Sequence, residues 1–124
     1  MKILSNNVKG LGQFKKNVKG LGGNKKRREL REMIVKEKYD VVFIQETKLY
    51  SSDERLGRII WGSSEFDWIV KLAIKNSGGI LCLWNQNSIK VQNKFEGFGS
   101  YGFAGLWGSK EVLYVVINMY ALCN

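Results

Sequence analysis

Hydrophobic positions along the chain fall into two regimes, helical spacing around one apolar run in the first half and strand after strand in the second. Ile3 and Leu4 mark a short strand over residues 2–6. Leu30, Met33 and Ile34 stand at i, i+3 and i+4, with Lys and Arg filling most positions between them. That spacing predicts an amphipathic helix over 25–38, with Asn24 as its N-cap. Asp40 then leads into Val41-Val42-Phe43-Ile44, a continuous β-branched and aromatic run that reads as a strand buried on both faces. Ser51-Ser52-Asp53-Glu54 opens a second helix toward Ile60, with Leu56, Ile59 and Ile60 on its apolar side. From Phe66 onward strands are expected over 67–74, 80–84, 89–95, 101–107 and 112–119. Gly78-Gly79 and Asn85-Gln86-Asn87 are the clearest turns between them. Leu113-Tyr114-Val115-Val116-Ile117 reads as another central strand. A strand, a helix and a buried strand in this order imply an α/β layer architecture.

One segment interrupts the pattern. Residues 7–16 and 17–26 are identical at eight of ten positions, and both copies carry Asn-Val-Lys-Gly-Leu-Gly. Two copies of a ten-residue period make no solenoid. The expectation is a local duplication forming a long Gly-rich surface loop, whose closure entropy grows only slowly with length.

Charge changes the picture more than composition does. The 124 residues carry a formal net charge of +9, and all of the excess lies in residues 1–38, which hold 12 Lys and Arg against 3 Asp and Glu. Lys25, Lys26, Arg27, Arg28 and Arg31 form the densest cluster, a pattern that attracts phosphate backbones as well as one that simply solvates a helix face. Two cysteines, Cys82 and Cys123, make neither a disulfide framework nor a zinc set. No signal peptide or apolar span is present, so an intracellular setting, cytoplasm or nucleus, is expected. The chain has no His and no Pro. Imidazole chemistry is therefore excluded within these residues.

Candidate chemistry gathers at strand ends. Gln45-Glu46-Thr47-Lys48 follows the buried strand, where α/β folds place ligands. A carboxylate there suits Mg²⁺, which keeps several waters and polarises a phosphate oxygen. Asn7 ends the first strand, and Asn118-Met119-Tyr120 ends the last. An amide that orients a carboxylate and a phenol that donates to a phosphate oxygen are the roles open to Asn7 and Tyr120. Turn formation and rim packing are the ordinary alternatives for the same residues. Trp61, Trp68, Trp84 and Trp107 are expected in the core or at its rim, and Cys82 as a buried thiol.

Taken together these stretches resemble the endonuclease/exonuclease/phosphatase family, and most closely the endonuclease domain of plant LINE-type retrotransposons. The matching pieces are Met1 to Ser5 with Asn7-Val8-Lys9-Gly10-Leu11-Gly12, the basic helix, Asp40 through Lys48, Ile60-Trp61-Gly62, Ser77-Gly78-Gly79-Ile80-Leu81, and Val116 through Cys123. The resemblance implies a four-layer α/β sandwich of two facing sheets, of which this chain supplies the N-terminal half as one partial domain. It implies Mg²⁺- or Mn²⁺-dependent hydrolysis of a phosphodiester, with DNA as a partner. By motif, Glu46 becomes the metal-binding carboxylate, Asn7 or Asn17 the active-site Asn, and Tyr120 the phosphate-contacting Tyr.

The sequence also departs from the family pattern. The family's Trp-Asn pair reads Asn6-Asn7 here, its Pro before Asp40 is Tyr39, and the Pro of its Tyr-x-Pro motif is Leu122. The Gly-Asp-x-Asn and Ser-Asp-His segments do not occur. One carboxylate without a base or a charge stabiliser makes no catalytic constellation, so the chain is expected to be inactive alone. Half a sandwich is further expected to leave the inner face of one sheet uncovered, and so to self-associate.

Overall fold

The computed structural model describes residues 1–7, 23–74, 78–97 and 99–119. In chain order the elements are β1 (Ile3–Asn7), α1 (Asn24–Glu37), β2 (Val41–Gln45), α2 (Glu54–Trp61), β3 (Phe66–Lys71), β4 (Ile80–Asn85), β5 (Ile89–Gly97), β6 (Ser100–Trp107) and β7 (Val112–Met119). They build two sheets. The first has the order β1-β2-β4-β3, with β1 parallel to β2 and the other pairs antiparallel. The second is an antiparallel meander, β5-β6-β7.

The continuous apolar runs explain why the layers stack this way. Along β2, Val42 and Ile44 turn toward the helices and join Leu30, Ile34, Leu56 and Ile60 in one core. Val41 and Phe43 turn the other way and join Ile89, Tyr101, Phe103 and Val116 from the second sheet. β4 divides likewise, with Leu81 and Leu83 on the helix side and Ile80, Cys82 and Trp84 on the sheet side. Period-two alternation in a strand apolar at every position therefore feeds two cores at once. Aromatic contacts knit the inter-sheet core: Trp84 lies 4.8 Å from Phe103, and Phe43 meets Tyr101 edge-on at 5.4 Å. The described residues thus form three layers: helices, first sheet, second sheet.

The α/β class and the order of elements are as the sequence pattern predicts. Several details differ. The N-cap of α1 is Gly23, with Asn24 already helical and no side-chain cap bond. Asp53 caps α2 by accepting from the Leu56 N–H at 3.0 Å. The strand expected over 67–74 ends at Lys71, and Ile59 is exposed.

Two expectations about the sheets are overturned. The inner faces are not bare, because the two sheets cover each other; the uncovered surface is the outer face of the second sheet. β7, read as a central strand, pairs with β6 alone among the described strands and leaves most of its apolar side chains in solvent. Of the indoles, Trp61 and Trp84 are buried while Trp68 and Trp107 are half-buried. Cys82 is a buried free cysteine whose thiol burial pushes up, away from thiolate reactivity. Cys123 lies outside the described residues. No described helix is long and apolar enough to cross a membrane.

Candidate active site

The C-terminal ends of β1, β2 and β7 meet at one end of the sandwich. Register alone brings the first two together, since Asn7 pairs with Gln45. Two hydrogen bonds between the sheets add the third. The Ser5 hydroxyl donates to the Asn118 side-chain oxygen at 3.4 Å, and the Gln45 amide donates to the Met119 carbonyl at 3.4 Å. Asn118 in turn donates to the Tyr101 hydroxyl at 3.1 Å. A polar seam thus closes the inter-sheet core at the end where β2 delivers Glu46.

Glu46 itself stands on a constrained loop. It has φ 56°, and Lys48 has φ 54°, both in the left-handed region that residues with a Cβ enter at a cost of about 1 kcal/mol each. Tertiary bonds hold the conformation in place. The Thr47 and Lys48 N–H groups donate to the Gly79 and Gly78 carbonyls at 3.2 and 3.0 Å. Thr47 is fully buried, and its hydroxyl accepts from the Leu49 N–H at 3.4 Å. The half-buried Glu46 carboxylate is thereby presented at the strand end by a loop it does not itself stabilise.

Gly79 is what lets the loop close. It has φ +91°, and a Cβ there would overlap the Thr47 hydroxyl and come within 3.1 Å of the Lys48 nitrogen. Gly79→Ala is therefore expected to cost about 2 kcal/mol through strain and overlap. A urea titration compared with the neighbouring Gly78→Ala checks this, because a Cβ at Gly78 meets nothing within 4 Å although its φ of +78° is also left-handed. Equal losses in the two variants would show that backbone strain, and not the Thr47 contact, sets the cost.

The other site residues fare unequally. Asn7 ends β1 beside Gln45, as expected, but its side chain lies outside the described residues, as do Asn17 and Tyr120. In the basic cluster, Lys25 and Arg28 are exposed, and Arg27 and Arg31 are half-buried. Lys26 is only 2% exposed and points inward with Leu30 and Ile34, so it is removed from the outward basic face. Burial depresses its pKa, with nearby Lys48 pushing the same way and Glu29 opposing. The spacing of Lys26 to Leu30 and Ile34, four and eight residues, carries that information in the sequence, where residue type had overridden it.

Among the described residues no group of three or more His, Cys, Asp or Glu side chains is placed to hold a metal ion. Glu46 is one donor and not a ligand set, so these residues alone do not make a resident Mg²⁺ or Mn²⁺ site.

The architecture is that of the endonuclease/exonuclease/phosphatase fold, represented by about half of it. The chain is similar to the AP endonuclease LMAP from Leishmania major, with TM-score 0.61 and 15% identity, covering 95% of this chain and 39% of that one. It is similar to a humanized D. rerio TDP2, with TM-score 0.60 and 12% identity, covering 97% and 47%. It is also similar to the human Nocturnin catalytic domain, with TM-score 0.55 and 12% identity, covering 75% and 41%. The chain thus spans less than half the length of each. No family model matches the sequence, and no curated protein does.

Proposed function

We propose that the chain is a partial phosphodiesterase-like domain of retroelement origin, related to metal-dependent DNA endonucleases and without turnover on its own. The observation that carries this reading is the convergence of the β1, β2 and β7 ends on Glu46. The sequence resemblance to LINE-type endonuclease domains supports the origin. The fold supports the reaction class, phosphodiester hydrolysis. By the resemblance, Glu46 corresponds to the metal-binding carboxylate of a complete domain, Asn7 to its orienting amide and Tyr120 to a phosphate donor.

Lack of turnover follows from what Glu46 stands among. The chain holds no His, and no second acidic cluster accompanies Glu46 among the described residues. A single carboxylate without an imidazole or a second acidic partner lacks the general base that phosphodiester hydrolysis requires. Incubation of supercoiled DNA with the chain and Mg²⁺ or Mn²⁺ is expected to give no nicking above that of Glu46→Gln. Divalent-dependent nicking abolished by that substitution would overturn the claim of inactivity.

A second reading has its own observation. Helix α1 begins with Lys25, Lys26 and Arg27 at the positive end of its dipole, with no acidic residue in the first turn and no side-chain cap. Cations there oppose the macrodipole by about 0.3–1 kcal/mol each. A sequence that accepts this cost is suited to an external anion. Because α1 crosses back between parallel β1 and β2, its first turn lies at the same end of the sheet as Glu46. Arg27 borders a shallow cavity of about 420 Å³ with Ser51, Ser52 and Asp53, on the loop that leaves Glu46 for α2. Lys25, Arg27, Arg28 and Arg31 would therefore hold nucleic-acid phosphates beside the strand ends, with or without cleavage.

A further inference from the structure

The outer face of the second sheet carries large apolar side chains on one strand and small ones on the next. On β7 the side chains of Leu113, Val115, Ile117 and Met119 point away from the inter-sheet core and are 60, 59, 54 and 78% exposed. In register beside the last three, on β6, stand Ala104, Gly102 and Ser100. A ridge of large apolar side chains thus runs beside a trough of small ones, one strand spacing away. Leu106 closes one end of the trough, Phe95 on β5 flanks it opposite Gly102, and both are half-buried.

Charge is nearly absent from this face. β7 contains none, unlike β5, whose Lys90, Lys94 and Glu96 pair with Glu111, Asp67 and Lys71 at 2.9, 3.6 and 2.7 Å. A long, uncharged edge strand is what soluble proteins avoid unless something covers it. Four neighbouring large apolar side chains, each more than half exposed, make a patch on the order of the 300–600 Å² that is the largest a monomer usually leaves. With the trough and its rim it approaches the roughly 600–800 Å² per partner of a small specific interface.

We propose that the 124-residue chain forms a two-fold dimer through this face, the ridge of each copy lying in the trough of the other. Two-fold symmetry makes both halves of the contact form at once. The sheets then stack at about 10 Å, as in a sandwich. Electrostatics favours this face over the others. The whole excess of +9 resides in residues 1–38, and their helix α1 lies on the far side of the first sheet. Dimerisation through the second sheet keeps the two basic surfaces at opposite ends and leaves both Glu46 edges open.

Sedimentation of the 124-residue chain between about 1 and 100 µM tests the proposal. A monomer–dimer equilibrium in the micromolar range is expected. Val115→Lys, at the centre of the ridge, is expected to give monomer throughout with an unchanged far-UV circular dichroism spectrum. Ala104→Leu, which fills the trough from the other side, should weaken the dimer at least tenfold. Monomer at every concentration overturns the proposal, as do aggregates without defined stoichiometry. A dimer indifferent to both substitutions overturns it too, and places self-association elsewhere.

Discussion

If the outward face of α1 holds nucleic-acid phosphates as proposed, replacing Lys25, Arg27, Arg28 and Arg31 together by Gln is expected to abolish most of the affinity for DNA. Each phosphate neutralised by a cation contributes about −0.9 to the slope of log affinity against log salt, so four contacts predict about a hundredfold loss between 50 and 200 mM salt. The four-residue variant should bind weakly even at 50 mM and show little of that slope. The contrast with Lys26 makes the test sharp. Its side chain is buried on the same face as Leu30 and Ile34, so Lys26→Met should change affinity by no more than about twofold while removing as much formal charge as Arg28→Gln. Fluorescence anisotropy with a labelled duplex of arbitrary sequence reads both. Equal losses from Lys26 and from Arg28 alone would mean that net charge, and not the outward face of α1, governs binding. A weak slope in the parent chain would remove nucleic acid as a partner of this surface.

The contrast between Lys26 and its neighbours also shows how far the sequence could be read. Helical spacing assigned Leu30 and Ile34 to the core, and the same spacing extended one turn back assigns Lys26 with them. Charge had suggested the opposite. The two apolar runs show a related limit. Val41 to Ile44 and Leu113 to Ile117 look alike as sequences, yet β2 is buried between two cores and β7 stands at an edge in solvent. Local pattern registers apolar character, whereas burial depends on which element arrives to cover it, and that is a property of topology. The site divides along the same line. The position of Glu46 at the end of a buried strand was legible. Its left-handed backbone and its dependence on Gly79 were not, because the bonds that fix them join segments thirty or more residues apart. The bond from Ser5 to Asn118, 113 residues apart, escaped for the same reason.

Phe103→Ala is expected to destabilise the chain more than Gly79→Ala or any surface substitution. Phe103 is fully buried between the sheets, tilted against Trp84. Truncating such a ring costs about 3–5 kcal/mol, the transfer loss plus the cavity left behind. Domains of this size hold only about 5–15 kcal/mol in total. The neighbourhood gives little scope for collapse, because β2 and β4 are fixed from behind by Leu30, Leu56 and Ile60 on the helix side. A cavity beside Trp84 therefore stays open, or the second sheet detaches as a unit. Urea unfolding distinguishes the two. A lowered midpoint with the same slope means a cavity in a cooperative whole, whereas a shallower or biphasic transition means that β5 to β7 melt first. Val35→Ala, at an exposed position of α1, should change stability by less than about 0.5 kcal/mol and serves as the reference. If Phe103→Ala costs no more than that reference, the two sheets do not face each other in solution. The convergence of strand ends would then be lost as well, because the bonds from Ser5 to Asn118 and from Gln45 to Met119 need the two sheets to pack face to face.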